Sequence, residues 1–237
     1  MAPTAEKLLE RLRERASPAN VAGMARYGIS SESALGVTTP VLRGIAKELK
    51  PTAKADSGAV HELAAGLWAS GVHEARILAA LIDPPALVTP EQADAWVLQI
   101  DSWDVCDQLG SLWVATPFAV AKAHEWAARD EEFVKRSGFV LMCVIALRYK
   151  KAPDDLFLGF LGLVEREAAD PRNFVKKAVN WALRQIGKRN AKLHGAAVEV
   201  ASRLRESGSS AARWVAADAL QELGSDAVLA RMARSRT

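Results

Sequence analysis

Apolar positions recur every three to four residues along almost the whole chain, the spacing that places them on one face of an α-helix. No stretch alternates apolar and polar residues between turn signals, so the chain offers no candidate β-strand. Ala, Leu, Arg, Lys and Glu dominate, and these residues lose least on entering a helix. The breaks are legible too. Ser17-Pro18, Asp83-Pro84-Pro85, Thr89-Pro90, Thr116-Pro117, Ala152-Pro153 and Asp170-Pro171 each put a proline at or before a first turn. Gly71, Gly187, Gly208 and Gly224 fall where helices end. These marks predict helices over 4–16, 18–28, 39–50, 56–69, 72–82, 90–99, 103–115, 117–128, 131–148, 153–167, 171–188, 191–206, 210–223 and 225–235.

A weak repeat organises them. Glu132-Phe133-Val134-Lys135-Arg136 returns as Asn173-Phe174-Val175-Lys176-Lys177, 41 residues later, and Ala211-Ala212-Arg213-Trp214-Val215-Ala216 follows about 36 residues on. Spacings near 40 residues belong to helix-pair repeats. The expectation is a single all-α domain over 1–237, built as a HEAT-like or ARM-type superhelix of stacked antiparallel helix pairs. The second helix of each pair would line a concave face, with Arg136, Lys177 and Arg213 aligned along it. The plainer alternative is an irregular helical bundle.

Composition narrows the class. Half of the 237 residues are hydrophobic and a quarter charged, as in a soluble globular protein. No apolar run approaches the roughly 20 residues a membrane span needs, and the N-terminus has no apolar core of a secretory signal. Cys106 and Cys143 form no spaced framework, which fits a reduced, cytoplasmic protein. His61, His73, His124 and His194 lack partners in sequence and read as surface positions; with two cysteines they give no zinc spacing, so no metal or cofactor is expected. Trp68, Trp96, Trp113 and Trp126 read as core, and Trp214 as core or groove. The net charge of +3 hides an asymmetry: Lys135 to Arg213 holds 16 basic and 7 acidic residues, and Pro171 to Lys192 holds seven basic residues and no acid. Such clustering suits a polyanion, or is a solvated face beside an acidic one.

One segment points to chemistry. In Ser102-Trp103-Asp104-Val105-Cys106-Asp107, Trp103 and Asp107 are four apart and share a helix face. A carboxylate repels phosphate, so an acid in a basic groove has another purpose. Two structural readings stay open: Asp104 as a helix cap, and Asp107 as an ion-pair partner of Arg136.

The chain resembles the AlkD-like DNA alkylation repair enzymes, which are DNA glycosylases. The resemblance runs from about residue 18 to 224 and rests on five stretches in order: Met24-Ala25-Arg26-Tyr27, Leu35 to Arg43 with its Gly36-Val37-Thr38-Thr39-Pro40, Ser102 to Asp107, Val134-Lys135-Arg136, and Lys177 to Arg184. It departs from better-known members in the short stretch Gly28–Ala34. It implies that Asp107 is the catalytic carboxylate. It implies that Trp103, Trp181 and Tyr27 are aromatic contacts to the lesion-bearing nucleotide, and that Arg136 holds phosphate. Lys135, Lys176, Lys177 and Arg213 of the basic strip join them as DNA contacts. The implied reaction is hydrolysis of the N-glycosidic bond of N3- or N7-alkylated purines in duplex DNA, by a monomer and without enclosing a flipped base. Two other classes remain: a non-catalytic repeat protein for distorted or branched DNA, and a protein–protein scaffold.

Overall fold

The computed structural model describes residues 3–234, which form fourteen α-helices and no strand. They are α1 (Ala5–Arg13), α2 (Pro18–Ala25), α3 (Thr39–Ala55), α4 (Ser57–Ala69), α5 (His73–Ile82), α6 (Pro90–Val97) and α7 (Trp103–Trp113). There follow α8 (Ala119–Ala127), α9 (Glu132–Arg148), α10 (Asp154–Glu167), α11 (Asn173–Gly187), α12 (Ala191–Arg205), α13 (Ser210–Leu223) and α14 (Asp226–Arg234). Residue 235 of the last expected helix lies outside the described residues. The helices group into two compact units, one ending at Pro117 and one beginning at Phe118.

In the first unit α3, α5 and α7 lie side by side, while α4 packs on α1, α3 and α5. The caps follow the proline signals. Ser17 and Thr89 each precede a first-turn proline, and their hydroxyls accept from Asn20 N (3.4 Å) and Gln92 N (3.2 Å). α6 is held to α4 by Trp96 stacked on Trp68, centroids 4.4 Å apart, and the Trp68 indole donates to Gln99 Oε1 at 2.9 Å. α2 stops three residues short of the expected 28, because Gly28 turns at φ 70°. α3 runs past its expected end at 50, through Pro51 to Ala55. The proline removes one backbone donor; Leu42, Ile45 and Leu49 bury one face before it, and the last turn continues until Asp56 N bonds to Thr52 O at 2.8 Å. Asp56 then ends α3 and caps α4, accepting from Ala59 N at 2.9 Å.

In the second unit α9, α11 and α13 form one layer, and α8, α10 and α12 the other. The pairs α8/α9, α10/α11 and α12/α13 are helical hairpins. Successive repeats are parallel copies: Arg172, before α11, donates to Asp130 O, before α9, while Arg189, after α11, donates to Ala146 O and Tyr149 O at the end of α9. Asn190 at the start of α12 likewise meets Asp154 at the start of α10 (2.8 Å). These and other links join residues 36 to 43 apart, bracketing the repeat expected from sequence. α9 is buried from Val134 to Ala146 without a break. It touches α8 so closely that a Cβ on Gly138 would lie 2.3 Å from Ala127 N.

Candidate functional site

Trp103 opens α7, and Asp107 follows one turn later; both side chains are half-buried. The Trp103 indole N–H donates to the main-chain oxygen of Tyr27 at 3.0 Å. That bond ties α7 to the turn ending α2 and fixes the plane of the ring. Tyr27 itself is 73% exposed, so its phenol is free to meet a ligand. Trp103 and Tyr27 stand at a cleft of about 540 Å³ whose walls include Met24, Pro40 and Ile77. Two acids shape it from beneath. Glu74, 1% exposed, accepts from Leu35 N (2.8 Å), Gly36 N (2.6 Å) and Val37 N (3.2 Å), and so holds the loop that leads into α3. Asp104 accepts from His73 Nε2 at 2.9 Å, from Val105 N at 3.0 Å and from the Ser102 hydroxyl. Asp104 therefore braces the first turn of α7 instead of capping it from outside.

His73 was expected at the surface and is 2% exposed. The reason lies 31 residues away in Asp104, which supplies the partner that sequence spacing does not reveal. His61 also has a partner, its Nδ1 lying 2.6 Å from Asp83 Oδ1. Trp68, Trp96, Trp113 and Trp126 are buried as expected, and Cys106 is fully buried.

The second unit carries the other candidates. Lys177 is exposed on α11, with Trp181 half-buried one turn further on. The Gln185 amide, oriented to satisfy both neighbours, accepts from Trp181 Nε1 (3.1 Å) and Lys188 Nζ (3.2 Å). Lys176 Nζ sits 4.8 Å from the ring centre of Trp214, which is 39% exposed. Arg213 is exposed and donates to Ser207 O (2.8 Å) and Gly208 O (2.9 Å).

Two expected phosphate contacts are committed elsewhere. Lys135 is 7% exposed, with its ammonium 2.8 Å from Glu167 and 3.6 Å from Asp170. Arg136 is 5% exposed, and its Nη1 donates to Phe174 O at 2.8 Å. The expected row of Arg136, Lys177 and Arg213 on one surface thus breaks at Arg136, because α9 is buried on every side. Much of the basic strip is likewise engaged. Arg184 and Lys188 bind Glu222, Arg172 binds Asp170, and Arg189 sits on main-chain carbonyls. Burial raises the Glu222 carboxyl, but Lys188 and Arg184 outweigh it and take its pKa below the usual value. Acids outside the counted window absorb the charge that the window displays. Conversely, net charge gave no sign of Arg43, Lys47 and Lys50. They follow one another along α3 at helical spacing and line a cleft of about 430 Å³.

These features define an all-helical, HEAT-like repeat protein with an aromatic–carboxylate pair beside a cleft and exposed cations on a separate helix. Residues 8–223 match the family of DNA alkylation repair enzymes, and the chain belongs to it. A solved structure, from a new family of proteins related to the HEAT-like repeat DNA glycosylases with affinity for branched DNA structures, shares the fold. Its TM-score is 0.68 at 20% identity, over 84% of this chain and 83% of that one. No curated protein matches the chain. No helix among the described residues is long and apolar enough to cross a membrane.

Proposed function

We propose that this protein is a monofunctional DNA glycosylase that hydrolyses the N-glycosidic bond of purines alkylated at N3 or N7 in duplex DNA. The observation that carries the reading is the half-buried pair on α7: Asp107 one turn beyond Trp103, whose ring is fixed by Tyr27 O. An alkylated purine already carries the positive charge that makes it a leaving group. As its bond to C1′ breaks, the bonding electrons neutralise the base, and positive charge passes to the sugar. Asp107 stabilises that oxocarbenium-like sugar and orients the water that adds to C1′. Trp103 and Tyr27 offer flat faces to the nucleotide, each worth about 0.5–2 kcal/mol against a cation, and Trp181 of the second unit is a further aromatic contact to the DNA. Lys176, Lys177 and Arg213 hold phosphates without reading sequence. Lys135, spent on Glu167 and Asp170, has no such part, and Arg136 serves first to hold α9 against α11. No proton is delivered to the base, so neither a general acid nor a cofactor is required. The protein acts as a monomer on a lesion it need not enclose.

The test is base release. Asp107→Asn removes the charge while keeping the shape, so release of 7-methylguanine from methylated duplex is lost and DNA binding persists. Full release by this variant refutes the role of Asp107.

A second reading follows from the neighbouring fold's affinity for branched DNA: a protein that binds junctions without excising a base. It predicts no base release from the wild type and tighter binding to a four-way junction than to duplex.

A further inference from the structure

The excision chemistry leaves one buried pair without a task. His73 of α5 and Asp104 of α7 meet at 2.9 Å, with the imidazole side chain only 1% exposed. Asp104 sits next to Trp103 and one turn before Asp107, so whatever holds Asp104 holds the turn from which both project. Ser102 occupies the N-cap position, but its hydroxyl goes to Asp104 and not to a free helix N–H. The first turn of α7 is therefore fixed through the Asp104 carboxylate, and His73 is the group on another helix that fixes it. His73 and Asp104 also line the same cleft as Tyr27 and Trp103.

We propose that His73 is a positioning residue for excision: through Asp104 it holds the first turn of α7, and with it Trp103 and Asp107, in working geometry. This rests on the glycosylase reading. Burial by itself pushes the His73 imidazole down, but the Asp104 hydrogen bond and the charges of Asp104, Glu74 and Asp101 outweigh it, so its pKa is raised. Burial pushes Asp104 up, and the His73 bond and charge, with Ser102 and Val105, carry it below the usual carboxylate range. The acids acting on the ring come from α7, from the link before it and from α5 itself. The turn after α2 presents the titratable Tyr27 to the same cleft, whereas Met24, Thr38, Thr39 and Pro40 there do not titrate. Both shifts favour the pair as imidazolium and carboxylate. The contribution of His73 is complete below its unperturbed value of about 6.5 and is lost as pH rises through the raised one. That of Asp104 is complete above about 3.9 and is lost as pH falls through the lowered one.

His73→Gln tests this, because its amide still donates to Asp104 but does not titrate. Two quantities are measured from about pH 6 to 9. One is single-turnover release of 7-methylguanine, corrected for spontaneous loss. The other is the NMR resonance of the Trp103 indole N–H, assigned with Trp103→Phe, which needs no excision. In the wild type the rate falls on the order of tenfold above about pH 6.5, and the resonance moves with the same midpoint. Both steps vanish in His73→Gln, and in Asp104→Asn should the first variant fold poorly. An unchanged alkaline fall in the folded variant overturns the proposal, as does a Trp103 resonance that ignores the ionisation of His73. If the wild type releases no base at all, it is the glycosylase reading that fails, and the resonance alone decides whether His73 governs α7.

Discussion

Glu74→Gln is a one-atom change with a calculable cost. The Glu74 carboxylate receives three N–H groups, two buried ones on Oε1 from Gly36 and Val37 and a partly buried one on Oε2 from Leu35. A glutamine has a single acceptor oxygen. Placed to keep Gly36 and Val37, it turns its own NH₂ toward the Leu35 N–H. Two charge-assisted bonds become neutral, each losing about 1 kcal/mol, and one partly buried donor is orphaned at about 1–3 kcal/mol. The total is about 3–5 kcal/mol, a large share of the ~5–15 kcal/mol that holds a domain together. Hydrogen exchange at Leu35, Gly36 and Val37 reads the local effect directly, and urea unfolding of the first unit reads the global one. Exchange at these amides accelerates by at least two orders of magnitude, ~2.7 kcal/mol, and the urea midpoint drops. Unchanged protection at all three amides would refute the argument, because it would mean the loop holds its shape without the carboxylate.

Other outcomes follow from the second unit. Lys135→Met leaves Glu167 with Arg166 alone and Asp170 with Arg172; stability falls by about 1.5–3 kcal/mol in chemical denaturation, and the salt dependence of DNA binding does not move. Lys177→Ala does the reverse, lowering the slope of log affinity against log salt by about 1 with melting unchanged. Gly138→Ala drives a methyl to 2.3 Å from Ala127 N, where main chain on both sides cannot yield, and costs at least ~3 kcal/mol by denaturant unfolding. Asp170 is held low by Arg172, and Glu167 and Glu222 are held low by their cations against burial. Their contribution is present above about pH 4 and is lost as pH falls through the lowered values. Helical circular dichroism of residues 118–237 should therefore fail below about pH 4 and not on the alkaline side.

Helix positions were legible because each amphipathic face repeats within one or two turns, and because Ser17-Pro18 and Thr89-Pro90 carry their caps beside them. Facts that depend on distant partners were not. Val134-Lys135-Arg136 looks like Val175-Lys176-Lys177, yet the former lies in a helix without a polar face and the latter on one that has it. A charge count over Pro171–Lys192 cannot include Asp218 and Glu222, which bind that segment from the next repeat. Pro51 signals a helix end, yet α3 runs one more turn, to Ala55. In the candidate site, Trp103 and Asp107 were visible by their spacing of one turn. His73 was not, since its meaning depends on which turn of another helix lies opposite.

The arginines that bridge α9 and α11 have a consequence for how the chain comes into being. The last turn of α9 hands its carbonyls at Ala146 and Tyr149 to Arg189, and the start of that helix is tied through Asp130 O to Arg172. During synthesis, α9 emerges with no polar side to show to water, while the guanidinium that finishes it lies 43 residues further along the chain. At roughly 5–20 residues per second, that is a wait of about 2–9 s. The unit that folds cooperatively is therefore larger than one repeat, and a chain halted between α10 and α11 leaves the ribosome with α9 unfinished at one end and uncovered on the side that α11 takes.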